Sequence, residues 1–203
     1  MLLNICFYVL TAFQCNSSET VKKEEKNNKK NRNTSYNSYF PVKDNNSWTY
    51  INEAPREETE LFTVTASEIK KVEGGLQARL SSFPFLTKDN ESRSIIVKEN
   101  GDIEINNYMG NSGIIFPKET DFSKGQTWQF GIFNAKINSS SEKIITEEGE
   151  FTDCCYVMMT DGFTFSFEMW FKKDIGIVKW GANRTNPPIL RAVYYVLKEH
   201  KLN

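Results

Sequence analysis

Apolar and polar residues alternate one by one along several short segments of this chain, and this alternation limits the fold more than any other feature. Within Phe163–Phe171, the residues Phe163, Phe165, Phe167 and Met169 alternate with polar residues. Side chains two positions apart point to the same face of a β-strand, so the pattern predicts a strand with one buried face. Long segments rich in Ala, Leu and Glu are missing, and the chain is therefore expected to be all-β or mainly β.

Turn-forming residues between the apolar segments predict how the strands pair. The Asn-Gly pair at 100–101 lies between Arg93–Lys98 and Asp102–Ile105, and such a pair supplies the positive φ angles that a tight primed hairpin turn requires. The Asp-Gly pair at 161–162 predicts in the same way that Phe151–Thr160 and Phe163–Phe171 are antiparallel neighbours.

Length and composition favour one domain. Once a leader and a tether are set aside, 203 residues with 39% hydrophobic content supply one sizeable core. We expect a single antiparallel β-rich domain over residues 39–203, either a sandwich or a curved half-barrel of about ten strands. The formal net charge of −1 excludes the basic character typical of nucleic-acid-binding proteins.

The segment Met1–Cys15 is a short apolar run that stops at a cysteine and gives way at once to polar residues. It is too short to span a bilayer and is typical of an export signal. It resembles a bacterial lipoprotein signal, which implies that Cys15 becomes the lipidated first residue, carrying fatty-acyl groups such as palmitate. Phe13 and Gln14 stand where small residues are usual, and no Lys or Arg precedes the apolar stretch; a relaxed signal, or a start codon assigned too late, would account for these departures.

Two alternatives to the lipoprotein signal remain open: an ordinary cleaved signal peptide, and a buried segment of a cytoplasmic protein. Residues 16–38 are Asn, Lys, Glu and Ser almost throughout, which predicts a disordered polar tether. The net positive charge of this tract could add weak attraction to anionic lipid head groups. The sequence thus predicts an exported protein anchored to the bacterial cell envelope, at the outer membrane or the cell surface.

Two stretches share an aromatic-Pro pair, a polar turn and a Trp-led strand. They cover residues 39–50 and 115–130. The spacings differ, so they are either a weak internal repeat or two strands that enter the same core from equivalent edges. In both cases Trp48 and Trp128 are expected to anchor the core.

Several motifs together resemble a broad group of uncharacterised bacterial lipoproteins and secreted proteins. They are Tyr39–Lys43 before Trp48–Tyr50, then Gly149–Cys154, then Trp170–Lys179 and a final strand at Leu190. The pattern runs from an aromatic-Pro segment through a Gly-x-Phe-x-x-Cys strand to a closing Gly-Ile-Val-Lys. At 44–46 polar residues replace the glycine usual in the first turn, where asparagine can adopt the left-handed conformation. The resemblance implies an exported β-rich domain and assigns no activity.

The residues that commonly carry catalysis do not form a recognisable active site in this sequence. His200 is the only histidine, so the sequence supports neither a Ser-His-Asp triad nor a multi-histidine metal site. No glycine-rich phosphate loop is present. Carboxylate pairs such as Glu57-Glu58 fall in predicted turns, where solvated charges are usual. No catalytic residue, metal or cofactor is predicted.

Cys154 and Cys155 are adjacent on a predicted strand, so their side chains are expected to point to opposite faces of the sheet. The simplest expectation is that one is a small buried hydrophobe and the other is partly exposed. A disulfide, which would require a local kink, and a redox or metal-binding thiol site are the alternatives.

The alternating aromatic tract predicts either a core or a pocket. The buried face is most simply the domain core, but a curved sheet could use it to hold an apolar ligand such as an acyl chain. The candidate pocket residues are Phe163, Phe165, Phe167, Met169, Val157 and Met159. Two functions follow: a non-enzymatic, surface-anchored interaction module of the cell envelope whose partner is unknown, or a periplasmic carrier or chaperone for an apolar ligand.

Overall fold

The computed structural model describes residues 37–53, 61–82, 93–108, 110–184 and 193–203. The predicted leader with Cys15, and the tether up to residue 36, lie outside the described residues. All described residues belong to one compact unit, Asn33–Asn203. None of the helical structure in these ranges is long and apolar enough to cross a membrane.

Within the described ranges the chain forms twelve strands and one 3₁₀ turn at Glu119–Asp121. The strands are β1 (Ser47–Asn52), β2 (Leu61–Val72), β3 (Gly75–Leu80), β4 (Arg93–Lys98), β5 (Ile103–Tyr108), β6 (Asn111–Phe116), β7 (Thr127–Phe130), β8 (Phe133–Ile145), β9 (Glu150–Thr160), β10 (Phe165–Lys172), β11 (Gly176–Arg184) and β12 (Val193–Lys201). The prediction of an antiparallel, almost entirely β domain is confirmed, with twelve described strands in place of about ten.

All twelve strands belong to one antiparallel sheet that curves into a nearly closed barrel. The spatial order is β6-β5-β4-β3-β2-β1-β12-β11-β10-β9-β8-β7. The two end strands, β6 and β7, lie next to each other. Trp128 Nε1 in β7 donates a hydrogen bond to the Ile115 carbonyl in β6 at 3.1 Å. Near-closure protects the backbone groups that a flat sheet would leave unpaired at its edges.

Both predicted hairpins are confirmed, although both turns differ from the predicted tight form: the β9–β10 connection is longer than two residues, and Asp161 is not left-handed. In the β9–β10 pair Ser166 lies opposite Thr160, and in the β4–β5 pair Val97 lies opposite Ile103. In the β4–β5 turn Gly101 is left-handed, with φ 93°, but its neighbour Asn100 is not. The primed two-residue turn was therefore a wrong prediction: the loop has three residues and ends in a left-handed glycine, which is the next most common way to close a hairpin.

Apolar side chains on the inner face of the sheet form one core. Trp48, a predicted anchor, is 4% exposed and donates from Nε1 to the Ile175 carbonyl at 2.6 Å. The second predicted anchor, Trp128, is half-buried against this core. Asn45 adopts the left-handed conformation, with φ 64°, which confirms the expectation for the first turn.

The first described residue, Asn37, is fixed at one rim of the barrel. Its side chain is 1% exposed. Its Nδ2 donates to the carbonyls of Gly101 at 2.8 Å and Pro117 at 3.0 Å, and its Oδ1 accepts from the Tyr39 backbone N–H at 3.0 Å. The chain therefore enters the domain at the rim that holds the β4–β5 turn.

Candidate functional site

The predicted pocket residues separate into three groups in the structure. Phe163 is 82% exposed in the turn before β10, and Phe165 is half-buried at the start of that strand. The other four are at most 4% exposed and form part of the packed core: Phe167, Met169, Val157 and Met159. Phe163 therefore does not share the buried face, and the four core residues have neighbours on all sides.

Phe163 does not follow the alternating pattern of burial because it lies in the turn before β10. One oxygen of Asp161, Oδ1, accepts hydrogen bonds from the backbone N–H groups of Phe163, Thr164 and Phe165 at 2.8–3.0 Å. These bonds lower the pKa of the Asp161 carboxyl and hold the first two residues of the predicted strand, Phe163 and Thr164, in the turn. Strand β10 consequently begins at Phe165.

Cys154 and Cys155 are both buried, at 0% and 1% exposure, and both are free thiols. The expectation that one of them is partly exposed was wrong. Asp153, immediately before them, has φ 53°, and the register of β9 with β8 shifts in this region. A left-handed residue and a register shift are typical of a β-bulge, which breaks the simple alternation of faces.

Burial makes both thiols poor nucleophiles. Desolvation raises the pKa of Cys154 to about 11 and that of Cys155 to about 12. We expect iodoacetamide at pH 8 to leave both cysteines unmodified in the folded protein and to modify both after unfolding, because only the thiolate reacts. Peptide mass spectrometry of the 151–160 region measures this. Alkylation of either thiol in the folded protein, or a Cys154–Cys155 disulfide, would contradict the assignment.

The most distinctive polar and aromatic arrangement lies on the opposite face of the same strands. Tyr156 in β9, Trp170 in β10 and Tyr194 in β12, here called the outer ring cluster, are all half-buried. Trp170 pairs with Tyr156 across the β9–β10 ladder, and their rings stack with centroids 4.7 Å apart and planes 9° apart. The Tyr194 ring meets Trp170 edge-on at 6.1 Å.

Alternation along β10 places Trp170 on the outer face, since its neighbours Met169 and Phe171 are fully buried in the core. The Tyr194 ring lies directly over Gly181, where an added Cβ would clash with Cδ1 and Cε1 of the ring and also with the backbone carbonyl of Val193. A side chain at 181 would therefore displace this ring. The glycine makes room for the third member of the cluster.

A carboxylate and an ammonium group complete the cluster. The Tyr194 hydroxyl donates to Glu168 Oε2 at 3.0 Å, and the same carboxylate lies near enough to Tyr156 to raise the pKa of that residue. Lys179 Nζ lies 5.4 Å from the Trp170 ring centroid and 4.9 Å from that of Tyr194, within the range of a cation–π interaction. It also forms an ion pair with Glu53 at 2.8 Å.

The two tyrosines of the cluster remain protonated donors at neutral pH. Burial, and then the charge of Glu168, raise the pKa of Tyr156 and of Tyr194 to about 12. The rings, their hydroxyls and the Glu168 carboxylate are thus held in one arrangement by stacking and hydrogen bonds. Such fixed aromatic and polar groups are suited to binding, and they include no nucleophile activated by a base.

A groove adjoins the outer ring cluster. It has an open volume of about 860 Å³, including the solvent space at its mouth, and is lined by Thr127, Trp128, Gln129, Asn134, Ala135, Lys136, Met158 and Thr160. Met158 lies two residues from Tyr156 on β9 and pairs with Glu168 across the β9–β10 ladder. Because residues two apart on a strand share a face, the groove and the cluster form one continuous surface.

In the described ranges no group of three or more His, Cys, Asp or Glu side chains is placed to hold a metal ion. His200 lies in β12, where its Nδ1 is 2.6 Å from Glu148 Oε1. This pair lies apart from the rings described above, since it belongs to the other end of β12 from Tyr194.

The sequence reasoning missed the outer ring cluster. Its signal was the second face of the alternating tract, where Glu168 and Trp170 are two residues apart. Tyr156 and Tyr194 belong to other strands, and only the register of β9, β10, β11 and β12 brings them together.

The fold is similar to two solved structures. One is a presumed exported protein with a YmcC-like fold from Bacteroides fragilis NCTC 9343, with 13% identity and a TM-score of 0.53 over 82% of this chain and 100% of that chain. The other is a presumed lipoprotein from Parabacteroides distasonis ATCC 8503, with 13% identity and a TM-score of 0.46 over 82% of this chain and 99% of that chain. At this identity, the similarity to the Bacteroides fragilis protein shows a shared fold. No family model and no curated protein matches the sequence.

Proposed function

We propose that this protein is a non-enzymatic lipoprotein of the bacterial cell envelope, anchored through a lipidated Cys15, whose folded domain is an interaction module. The outer ring cluster and the adjoining groove are its binding surface. The observation that carries this proposal is the contrast between the two faces of the sheet: the inner face is a packed core, while the outer face carries half-buried rings with a fixed carboxylate.

The anchoring part of the proposal is supported by sequence and by fold. The apolar run ends at Cys15 and is followed by polar residues, as in a lipoprotein signal. The shared fold with a presumed exported protein supports export. Asn37 attaches the chain to one rim of the barrel, so an anchor at Cys15 would be connected to the domain through that rim. We place the anchor in the outer membrane or at the cell surface.

The packed interior favours the interaction module over an apolar-ligand carrier. A carrier needs an apolar cavity behind the aromatic face of β10. Phe167 instead packs against Phe133, with ring centroids 5.4 Å apart, and Met169 and Val157 are both 0% exposed. An acyl chain in this region would have to displace core side chains.

Membrane fractionation tests the anchor. The wild-type chain, expressed in a bacterium with a lipoprotein export system, is expected in the membrane fraction and to be released by detergent but not by high salt. The variant Cys15→Ala is expected to lose this membrane association, because a single change removes the attachment site for the acyl chains. Cys6→Ala is the matched control: it lies inside the leader and is expected to leave fractionation unchanged. A Cys15→Ala protein that stays in the membrane like the wild type would contradict the proposal.

A further inference from the structure

We propose that the outer ring cluster and the adjoining groove bind an uncharged glycan chain. This inference rests on the proposed function, since it names the ligand class of the same surface. It is drawn from the mixture of groups on that surface: flat aromatic rings, hydrogen-bond donors and acceptors that are already oriented, and charges of both signs in balance.

The rings supply the apolar half of the recognition. Tyr156, Trp170 and Tyr194 are half-buried, so part of each ring remains accessible to a ligand. A ring face carries negative potential and attracts weakly positive C–H groups. Sugar rings present such C–H groups on one or both faces. Stacking within the cluster fixes the rings in advance, which lowers the entropy cost of binding.

The polar groups supply the hydrogen-bonding half of the recognition. Glu168 accepts a hydrogen bond from the Tyr194 hydroxyl and, as a carboxylate, has further acceptor positions for ligand hydroxyls. Tyr156 and Tyr194 oxygens can themselves accept. A sugar carries many hydroxyls that both donate and accept hydrogen bonds. These hydroxyls can replace the water molecules that Glu168, Tyr156 and Tyr194 lose when a ligand binds.

The charges on the surface argue against the other ligand classes. Glu168 carries a negative charge between the rings, and Glu53 neutralises Lys179 at 2.8 Å. The groove adds one exposed cation, Lys136, so positive and negative charges balance over the surface, which lacks the excess of cations that a phosphate or nucleic-acid backbone requires. An acyl chain would cover Glu168 and the tyrosine hydroxyls without pairing them, which is costly. A neutral, hydroxyl-rich ligand avoids both costs.

The length of the surface suits a chain rather than a single sugar. The groove begins at β7 and β8, and Tyr194 lies on β12. Neighbouring strands are about 4.8 Å apart, so the span from β8 to β12 in the sheet order is roughly 19 Å along the sheet. Several linked sugar units fit on this distance.

The test is calorimetric titration of the full-length protein in a detergent without a sugar head group. The probes are four neutral hexasaccharides (cellohexaose, maltohexaose, chitohexaose and mannohexaose), with heparin and phosphatidylglycerol vesicles as anionic comparisons. We expect at least one hexasaccharide to bind with a Kd of about 1 mM or tighter. Trp170→Ala and Gly181→Ala are each expected to weaken this binding by about tenfold or more, the second by displacing the Tyr194 ring.

Two matched variants keep the result interpretable. Trp170→Phe retains a ring and is expected to retain more of the binding than Trp170→Ala. Ile145→Ala removes an exposed apolar side chain at the far end of β8 from the groove and is expected to bind like the wild type. Circular dichroism establishes that each variant is folded. Should Gly181→Ala fail to fold, Tyr194→Ala removes the same ring without adding a Cβ.

Three results would overturn the inference: no hexasaccharide bound within that affinity range, binding that Trp170→Ala leaves unchanged, or preferential binding of heparin or of the anionic vesicles. Each of these leaves the fractionation result untouched, so the ligand class can fail while the anchored interaction module stands. Conversely, a Cys15→Ala variant that stays in the membrane would remove the proposed anchor whatever the titration shows.

Discussion

Replacing Trp180 with alanine is expected to lower the free energy of unfolding by about 3–5 kcal/mol. Trp180 is 2% exposed and stacks on Tyr195 with ring centroids 4.4 Å apart. It also meets the edges of Tyr50 at 6.2 Å and Phe62 at 5.5 Å. Truncation would leave a cavity where β1, β2, β11 and β12 contribute to the core, and these ring contacts would be lost together. Denaturant unfolding followed by far-UV circular dichroism measures the change.

Two further variants serve as controls for Trp180→Ala. Trp180→Phe keeps a ring in the same site and is expected to cost less than the alanine variant. Ile132→Ala changes a side chain that is 65% exposed in the turn between β7 and β8, and it is expected to alter stability by no more than about 0.5 kcal/mol. If Trp180→Ala cost no more than Ile132→Ala, the packed interior described here would be wrong, and a ligand cavity would have to be reconsidered.

Replacing Asn37 with alanine is expected to cost about 2–4 kcal/mol. The side chain is 1% exposed, and its loss would remove the donors to the Gly101 and Pro117 carbonyls and the acceptor for the Tyr39 N–H. Buried polar groups left without partners are costly, because they give up water and gain nothing in return. The same denaturant measurement applies.

Asn100→Ala is the matched control for Asn37→Ala. Asn100 lies in the β4–β5 turn beside Gly101, and its side chain also makes two hydrogen bonds, both to Asp102. These bonds are exposed, so water can replace them, and we expect a loss of less than about 1 kcal/mol. Equal losses for the two variants would show that Asn37 does not fix the point where the chain enters the domain.

Local patterns in the sequence predicted the fold class because strand periodicity and turn chemistry act over a few residues. The alternation in β10 and the Asp-Gly turn before it were enough to predict the β9–β10 hairpin. Two deviations were not predictable from periodicity. In the first, Asp161 accepts hydrogen bonds from three backbone N–H groups, so Phe163 lies in the turn and not in the strand. In the second, the left-handed backbone of Asp153 interrupts the alternation of faces at the cysteine pair.

The candidate binding surface was harder to predict than the core. Core residues can be predicted within each strand separately, because burial of one face gives each segment its own period-two pattern of apolar residues. The outer ring cluster depends on the register of four consecutive strands, β9 to β12, and Tyr194 meets Trp170 only because β12 and β10 both flank β11. Single aromatic residues on polar faces carry no such local signal. The glycine at 181, which leaves room for Tyr194, becomes meaningful only once the register is known.

The intact mass of the wild-type protein purified from bacterial membranes tests most directly whether Cys15 anchors this protein to the cell envelope. We expect a mature chain that begins at Cys15 and carries the added mass of covalently bound acyl groups, and we expect this modification to be absent from the Cys15→Ala variant. An unmodified chain that still contains residues 1–14 would contradict the proposed anchor and remove the basis for an envelope-anchored module.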